Sequence, residues 1–122
     1  MIYFIRSYNQ HIKIGYSKDP VDRVKKLQTG SPIKLHVQAS MLGDFKTESG
    51  LHEMFNHLRV NGEWFRYTDE LKWFIRTVKS NPNVTNIKTL YMESQKLRLM
   101  EKANRLGKDH SLTKRIKRGL VR

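Results

Sequence analysis

Residues 12–30, IKIGYSKDPVDRVKKLQTG, contain the clearest structural signals in the chain. The residues typical of a strand, of a helix start and of a helix end follow one another there in close succession. Apolar and polar side chains alternate over residues 11–16, which predicts a strand with its isoleucines on one face. Asp19 can cap a helix whose first turn accommodates Pro20, and Gly30 can end it. We therefore predict a strand that leads directly into a short helix.

The remaining segments predict a small mixed domain. An aromatic and β-branched run over residues 1–6 can pair with residues 11–16 as a hairpin, because residues 7–10 are turn formers. Further periodic segments predict a third strand over 35–42 and helices over 44–58, 69–79, 87–106 and 112–120. This order predicts an α+β fold, a three-stranded antiparallel sheet flanked by helices.

A break in composition divides the chain. Asn81-Pro82-Asn83 is a turn-forming cluster between two helical segments, so we predict a domain over residues 1–80 and a basic helical tail over residues 81–122. One face of this tail is expected to bind the phosphate backbone of a nucleic acid. Thr68 is expected to cap the helix that precedes the break. The apolar positions of the tail are expected either to pack on the domain or to form a homodimer, and they are Ile87, Leu90, Leu97 and Met100.

Composition excludes several classes of protein. The 122 residues include no cysteine, so disulfides and cysteine-based zinc sites are excluded and an intracellular location is expected. No apolar run approaches the roughly 18 residues that span a bilayer. We therefore expect a soluble, cytoplasmic protein without a membrane partner.

The formal net charge is +13, which favours a polyanionic partner. Residues 85–122 hold 11 Lys and Arg against 3 Asp and Glu, whereas residues 1–84 hold 13 against 8. Nucleic acid is the expected partner, with an acidic protein or an anionic membrane surface as alternatives. The densest cluster of cations expected to contact phosphates comprises Lys114, Arg115, Lys117 and Arg118.

Few residues carry recognisable chemistry. The sequence contains no HExxH motif, P-loop or zinc-finger spacing. Glu48 and His52 are four residues apart and would share a helix stripe, either as a surface pair or facing a site. Glu63 follows a turn and can either approach a metal ion or cap a neighbour. The full set of groups compatible with phosphate chemistry is Tyr3, Lys13, Tyr16, Arg23, Glu48, His52 and Glu63.

The order of these residues resembles the GIY-YIG nuclease superfamily. The resemblance covers roughly residues 1–78 and begins with Ile2-Tyr3, Lys13-Ile14-Gly15, Arg23 and a helical Glu48. The later stretches resemble the phage-type DNA-binding branch of that superfamily, and they are LQTGSP at 27–32, ESGLH at 48–52 with Phe55 and Arg59, and GEWF at 62–65. Two positions depart from the pattern, since Met1 replaces a glycine and Lys13 replaces a tyrosine.

The resemblance implies a metal-dependent DNA endonuclease with a one-metal site. Tyr3 would help to activate water, Arg23 would hold the phosphate, and Glu48 would bind Mg²⁺, with Mn²⁺ as a substitute. Lys13 and His52 complete the expected catalytic group. Tyr16 and Lys18 are expected to contact the substrate.

Two further expectations concern the mechanism, and two alternatives remain. A phenol has a pKa near 10, so we expect the cations of Lys13 and Arg23 to lower the pKa of Tyr3. Gly15 is expected to let the backbone approach the substrate.

The alternatives to a nuclease are a DNA-binding module on the same scaffold with little or no cleavage, and a regulator that binds RNA or protein through charge alone.

Overall fold

The computed structural model describes residues 1–109. Five strands are present, namely β1 (Ile2–Ser7), β2 (His11–Tyr16), β3 (Leu35–Met41), β4 (Arg59–Asn61) and β5 (Trp64–Arg66). The helices are α1 (Pro20–Thr29), α2 (Phe45–Met54), α3 (Asp69–Ser80) and α4 (Ile87–Asp109), with a 3₁₀ turn at Asn56–Leu58. The helix predicted over 112–120 and the cluster from Lys114 to Arg118 lie outside the described residues.

The strands form one antiparallel sheet in the order β3-β1-β2-β5-β4. The α+β class is confirmed, but the predicted count of three strands is wrong. The β4–β5 hairpin was missed because each strand has only three residues, too few for an alternating pattern to show. The turn of this hairpin is the one predicted before Glu63. Gly62 in that turn has a φ of 55°, a conformation that favours glycine.

One face of the sheet carries most of the core. Helices α2, α3 and α4 cover this face, which we call the large face. The buried side chains that pack there come from both the sheet and these three helices, and they include Ile2, Phe4, Ile12, Ile14, Met41, Leu51, Phe55, Phe65, Leu71, Phe74 and Leu90.

The opposite face, which we call the small face, is covered by α1. Its buried residues are Tyr3, Ile5 and Leu35, and Val24 and Leu27 of α1 pack against them. Val21 lies three residues before Val24 and has the spacing of the same stripe, but it is 57% exposed because it lies on the solvent side of the helix. The apolar stripe of α1 therefore consists of Val24 and Leu27.

The helix ends follow the predicted caps, with two corrections. Asp19 accepts a hydrogen bond of 3.1 Å from the Asp22 amide, and Asp44 caps α2. Helix α2 ends at Met54 rather than at residue 58, and the chain continues in the 3₁₀ turn. Thr68 precedes α3, but its side chain makes no capping hydrogen bond.

Helix α4 packs on the core of the domain. Leu90 is 2% exposed and Ile87 packs beside it, whereas Met100 is 52% exposed and does not pack on the domain. The homodimer expected as the alternative stays a prediction. The division of the chain at residue 80 stays a prediction. Within residues 1–109, every helix is too short or too polar to cross a bilayer.

Candidate active site at the edge of strand β2

Strand β2 pairs with β1 along one edge, but in the described part of the chain only half of its other edge pairs with a strand. Strand β5 pairs with β2 only from His11 to Lys13. At the next position, the Ile14 amide donates a 3.0 Å hydrogen bond to the Glu63 carbonyl oxygen. The Ile14 carbonyl oxygen accepts a 2.7 Å hydrogen bond from Nε2 of His52. The imidazole therefore occupies the place of a strand neighbour and ties α2 to the edge.

Gly15 lies on this edge directly opposite Tyr3. A Cβ atom built on Gly15 would clash with the ring and the hydroxyl oxygen of Tyr3. The phenol consequently lies across the glycine, and Tyr3 is 1% exposed. The glycine makes room for the phenol, and this is a different reason from the close approach of substrate that the sequence suggested.

The Tyr3 phenol has a raised pKa. Burial raises the pKa most, the nearby Arg23 guanidinium lowers it in part, and the carboxylates of Glu63 and Glu48 raise it again. The expected lowering of the Tyr3 pKa is therefore wrong, because burial outweighs the guanidinium. These interactions also place the phenol within electrostatic reach of all three charged groups.

Arg23 reaches the phenol from the first turn of α1. Asp19 and Pro20 fix where this helix begins, and that start sets the position of Arg23 above the small face. The Arg23 side chain is itself exposed. A guanidinium that faces solvent beside a buried hydroxyl is available to an incoming anion.

Three potential metal ligands meet beside the half of the β2 edge that has no strand neighbour within residues 1–109. Glu48 and His52 come from α2 and Glu63 from the turn before β5, and their ligand atoms all lie within 4.8 Å of one another. Because a carbonyl oxygen only accepts, the Nε2 atom of His52 carries a proton, so Nδ1 is the ring nitrogen left to bind a metal ion. The two carboxylates are oxygen donors of the kind that Mg²⁺ and Mn²⁺ prefer, whereas imidazole is a donor preferred by later transition metals.

Lys13 lies beside this group. Its Nζ atom is 3.0 Å from Oε2 of Glu63 and 5.5 Å from the centre of the Trp64 ring. The side chain of Lys13 is 13% exposed and that of Glu63 is 38% exposed, so the ion pair is shielded from water mainly on the lysine side. The ion pair holds the Glu63 carboxylate in place.

The structure thus brings together Tyr3, Lys13, Arg23, Glu48 and His52. It also adds Glu63, for which the sequence left a metal-facing and a capping role open. Its position could be recognised from sequence only by knowing that it precedes a strand paired with β2.

Tyr16 and Lys18 are placed differently. Tyr16 lies on the large face, where its ring packs 4.7 Å from that of Phe45. Lys18 is exposed in the loop between β2 and α1. Neither lies among the groups around Gly15, and their expected contacts with substrate stay predictions.

Comparison with known proteins yields one match. Neither the curated proteins nor the solved structures contain a significant match to this chain. A family model described as the T5orf172 domain matches residues 1–81, which include β1 to β5 and the whole candidate site. The chain belongs to the T5orf172 domain family.

Proposed function

We propose that this protein is an endonuclease that hydrolyses phosphodiester bonds in DNA with the help of a divalent cation, through a GIY-YIG-type site. The observation that carries the proposal is the meeting of a phenol, a guanidinium and three metal-ligand groups around Gly15. Membership of the T5orf172 domain family is consistent with a nuclease. The net charge of +13 supports a nucleic-acid substrate.

Glu48, His52 and Glu63 would hold the cation. When bound, a divalent cation lowers the pKa of a water molecule and neutralises charge that develops on a phosphate. In this chain the His52 ring is already oriented by its bond to Ile14, and the Glu63 carboxylate by its ion pair with Lys13. The ligand groups are therefore held in place before any substrate arrives.

Arg23 would bind the scissile phosphate. Its planar fork can donate two parallel hydrogen bonds to phosphate oxygens, and its side chain is exposed. Tyr3 retains its proton at neutral pH because its pKa is raised, and it is almost fully buried. We therefore assign Tyr3 a positioning role in which the hydroxyl orients Arg23, in place of a role as the base that activates water.

A second candidate function is DNA binding without cleavage. The ion pair between Lys13 and Glu63 favours it, because an ammonium at 3.0 Å neutralises part of the carboxylate charge that would attract a cation. In this reading the same surface binds a phosphate through Arg23 and Lys13. The two functions differ in whether products form.

A cleavage assay with a supercoiled plasmid tests the proposal. The full-length chain should nick the plasmid in Mg²⁺ and in Mn²⁺ but not in EDTA, and the Glu48→Gln variant should not nick it in either metal. Glu53→Gln is the matched control, because Glu53 is an exposed carboxylate on the same helix, and it should behave as the wild type. Nicking by Glu48→Gln, or by the wild type in EDTA, would contradict the proposed site. Plasmid binding without products in either metal would select the second function.

A further inference from the structure

A groove of about 400 Å³ lies between α3 and α4, and none of its lining residues belongs to the site at β2. Helix α3 contributes Lys72, Trp73 and Arg76, and helix α4 contributes Arg98, Lys102 and Arg105. Lys72 and Arg76 are four positions apart on α3, and the three α4 cations are separated by four and three positions, so the cations of each helix project from one side. The two helices therefore present their basic sides to the same groove.

The lining has a surplus of positive charge. Five cations face two carboxylates, Asp69 and Glu101. Glu101 is already paired with Arg105 at 3.1 Å. Within residues 1–109, the other four cations of the groove form no ion pair, although they share one concave surface. Like charges held this close repel one another, and an anionic ligand would remove that repulsion.

One side chain in the groove is oriented to meet an anion. The guanidinium of Arg76 packs 4.8 Å from the centre of the Trp73 ring, which orients the group without using its hydrogen-bond donors. Arg76 is exposed, so a phosphate oxygen can reach these donors. Arg98 has a buried Nε atom and lies close enough to Glu70 to lower the pKa of that carboxyl, so part of its charge is already compensated within the protein.

We propose that this groove binds the sugar–phosphate backbone of a nucleic acid. The cations of α4 extend from Arg98 to Arg105, about 10 Å of helix at the usual rise, which suits successive phosphates better than one small anion. The site would provide affinity without base specificity, because phosphate contacts position a protein and do not read sequence. This inference goes beyond the proposed function, since the groove would bind a backbone whether or not the β2 edge cleaves it.

Equilibrium binding of the full-length chain to a fluorescent 20-base-pair duplex, measured in EDTA over a series of salt concentrations, tests the proposal. The variant Arg76→Gln/Lys102→Gln removes one exposed cation from each wall of the groove. The control Lys88→Gln/Lys96→Gln removes two exposed cations of α4 that lie outside the groove. Both variants lose the same net charge, so a difference between them reports location.

The groove variant should bind about tenfold more weakly near 0.1 M salt, and its salt-dependence slope should fall by about 2, because each lost phosphate contact contributes about 0.9. The control should lose less than about threefold, and a charge-conserving variant, Arg76→Lys/Lys102→Arg, should keep the wild-type slope. Equal losses in the groove and control variants would overturn the proposal. So would unchanged duplex binding together with lost binding to phosphatidylserine vesicles, which would assign the groove to a membrane surface. Because EDTA removes divalent cations, these results do not depend on whether the chain cleaves DNA.

Discussion

The two faces of the sheet bury very different cores. The large face packs under three helices with rings such as Phe55 and Phe74 in mutual contact, whereas the small face buries only Tyr3, Ile5 and Leu35 beneath one short helix. Apolar burial stabilises a fold roughly in proportion to area, so most of the stability comes from the large face. The small face has little apolar surface to bury and can accommodate a phenol next to an arginine.

The candidate site uses both faces. Arg23 and Tyr3 belong to the small face, and Glu48 and His52 come from a helix on the large face. They meet only where β2 has no strand neighbour and where Gly15 has no side chain. Changes on the large face should therefore affect stability first, and changes on the small face should affect activity first.

Truncation of Phe74 should have the largest effect on stability. Its ring lies 5.1 Å from that of Phe55 and 6.1 Å from that of Phe4, and it is fully buried. Phe74→Ala should lower the free energy of unfolding by about 3–5 kcal/mol, measured by urea denaturation. Phe45→Ala is the control, because Phe45 is 68% exposed, and it should cost less than about 1 kcal/mol. Equal losses would mean that burial in the large-face core is not what stabilises the fold.

Removal of the Tyr3 hydroxyl should mainly affect activity. Tyr3→Phe should reduce the cleavage rate about 100-fold by misplacing Arg23, while the free energy of unfolding changes by less than about 1 kcal/mol. Because the pKa of the phenol is raised above 10, its proton is present from pH 6 to 9, and the loss should be uniform over that range. Tyr8→Phe, at an exposed tyrosine, should have no effect. A pH-dependent loss between pH 6 and 9 would instead identify Tyr3 as a base.

A methyl group at Gly15 should damage both properties. Gly15→Ala places a Cβ where the Tyr3 ring lies, so we expect a loss of about 1–3 kcal/mol of unfolding free energy together with lost cleavage. Gly30→Ala is the control, because a Cβ there meets nothing within 4 Å, and its stability should change by less than about 0.5 kcal/mol. In a double-mutant cycle, Tyr3→Leu should relieve part of the cost at Gly15. Additive losses would show that the two residues are not in conflict.

The smallest effect is expected at Glu70 of α3, whose carboxylate accepts hydrogen bonds from His57 and from Tyr91 of α4. Burial raises the pKa of the Glu70 carboxyl, but hydrogen bonds from Tyr91 and His57 outweigh it, so the pKa lies below the usual 4.5. A lowered folded-state pKa adds stability that is present above about pH 4.5 and is lost as the pH falls below it. Glu70→Gln should therefore cost about 1 kcal/mol at pH 6 and less at pH 3 by thermal melting. A cost that grows on acidification would contradict this assignment.

Much of the fold was predictable because its longer elements repeat a pattern. Strands β1, β2 and β3 and all four described helices have enough residues for their periodicity to show, and Asp19 and Asp44 mark helix starts. The hairpin of β4 and β5 was not predictable, since three residues give no period and pairing with β2 is a tertiary contact.

The candidate site was predictable in its residues and not in its physical details. The order of Tyr3, Arg23 and Glu48 along the chain indicated that they would act together. The direction of the pKa shift of Tyr3 depends on burial under α1, and the sequence pattern does not reveal how deeply the phenol is buried. The α3 side of the basic groove was missed for a similar reason, because Lys72 and Arg76 look like an ordinary solvated helix side until the basic tail helix α4 lies beside them.

Crystals grown with Mn²⁺ and a duplex carrying a phosphorothioate linkage provide the most direct test of the central claim, that groups from both faces form one phosphodiesterase site. An anomalous difference map should show a cation bound by a Glu48 carboxylate oxygen at about 2.0–2.2 Å, together with ligands from His52 and Glu63. The guanidinium of Arg23 should lie on the same phosphate that the cation contacts. A cation bound elsewhere, or a phosphate that reaches Arg23 while the Glu48 group binds no metal, would contradict the claim.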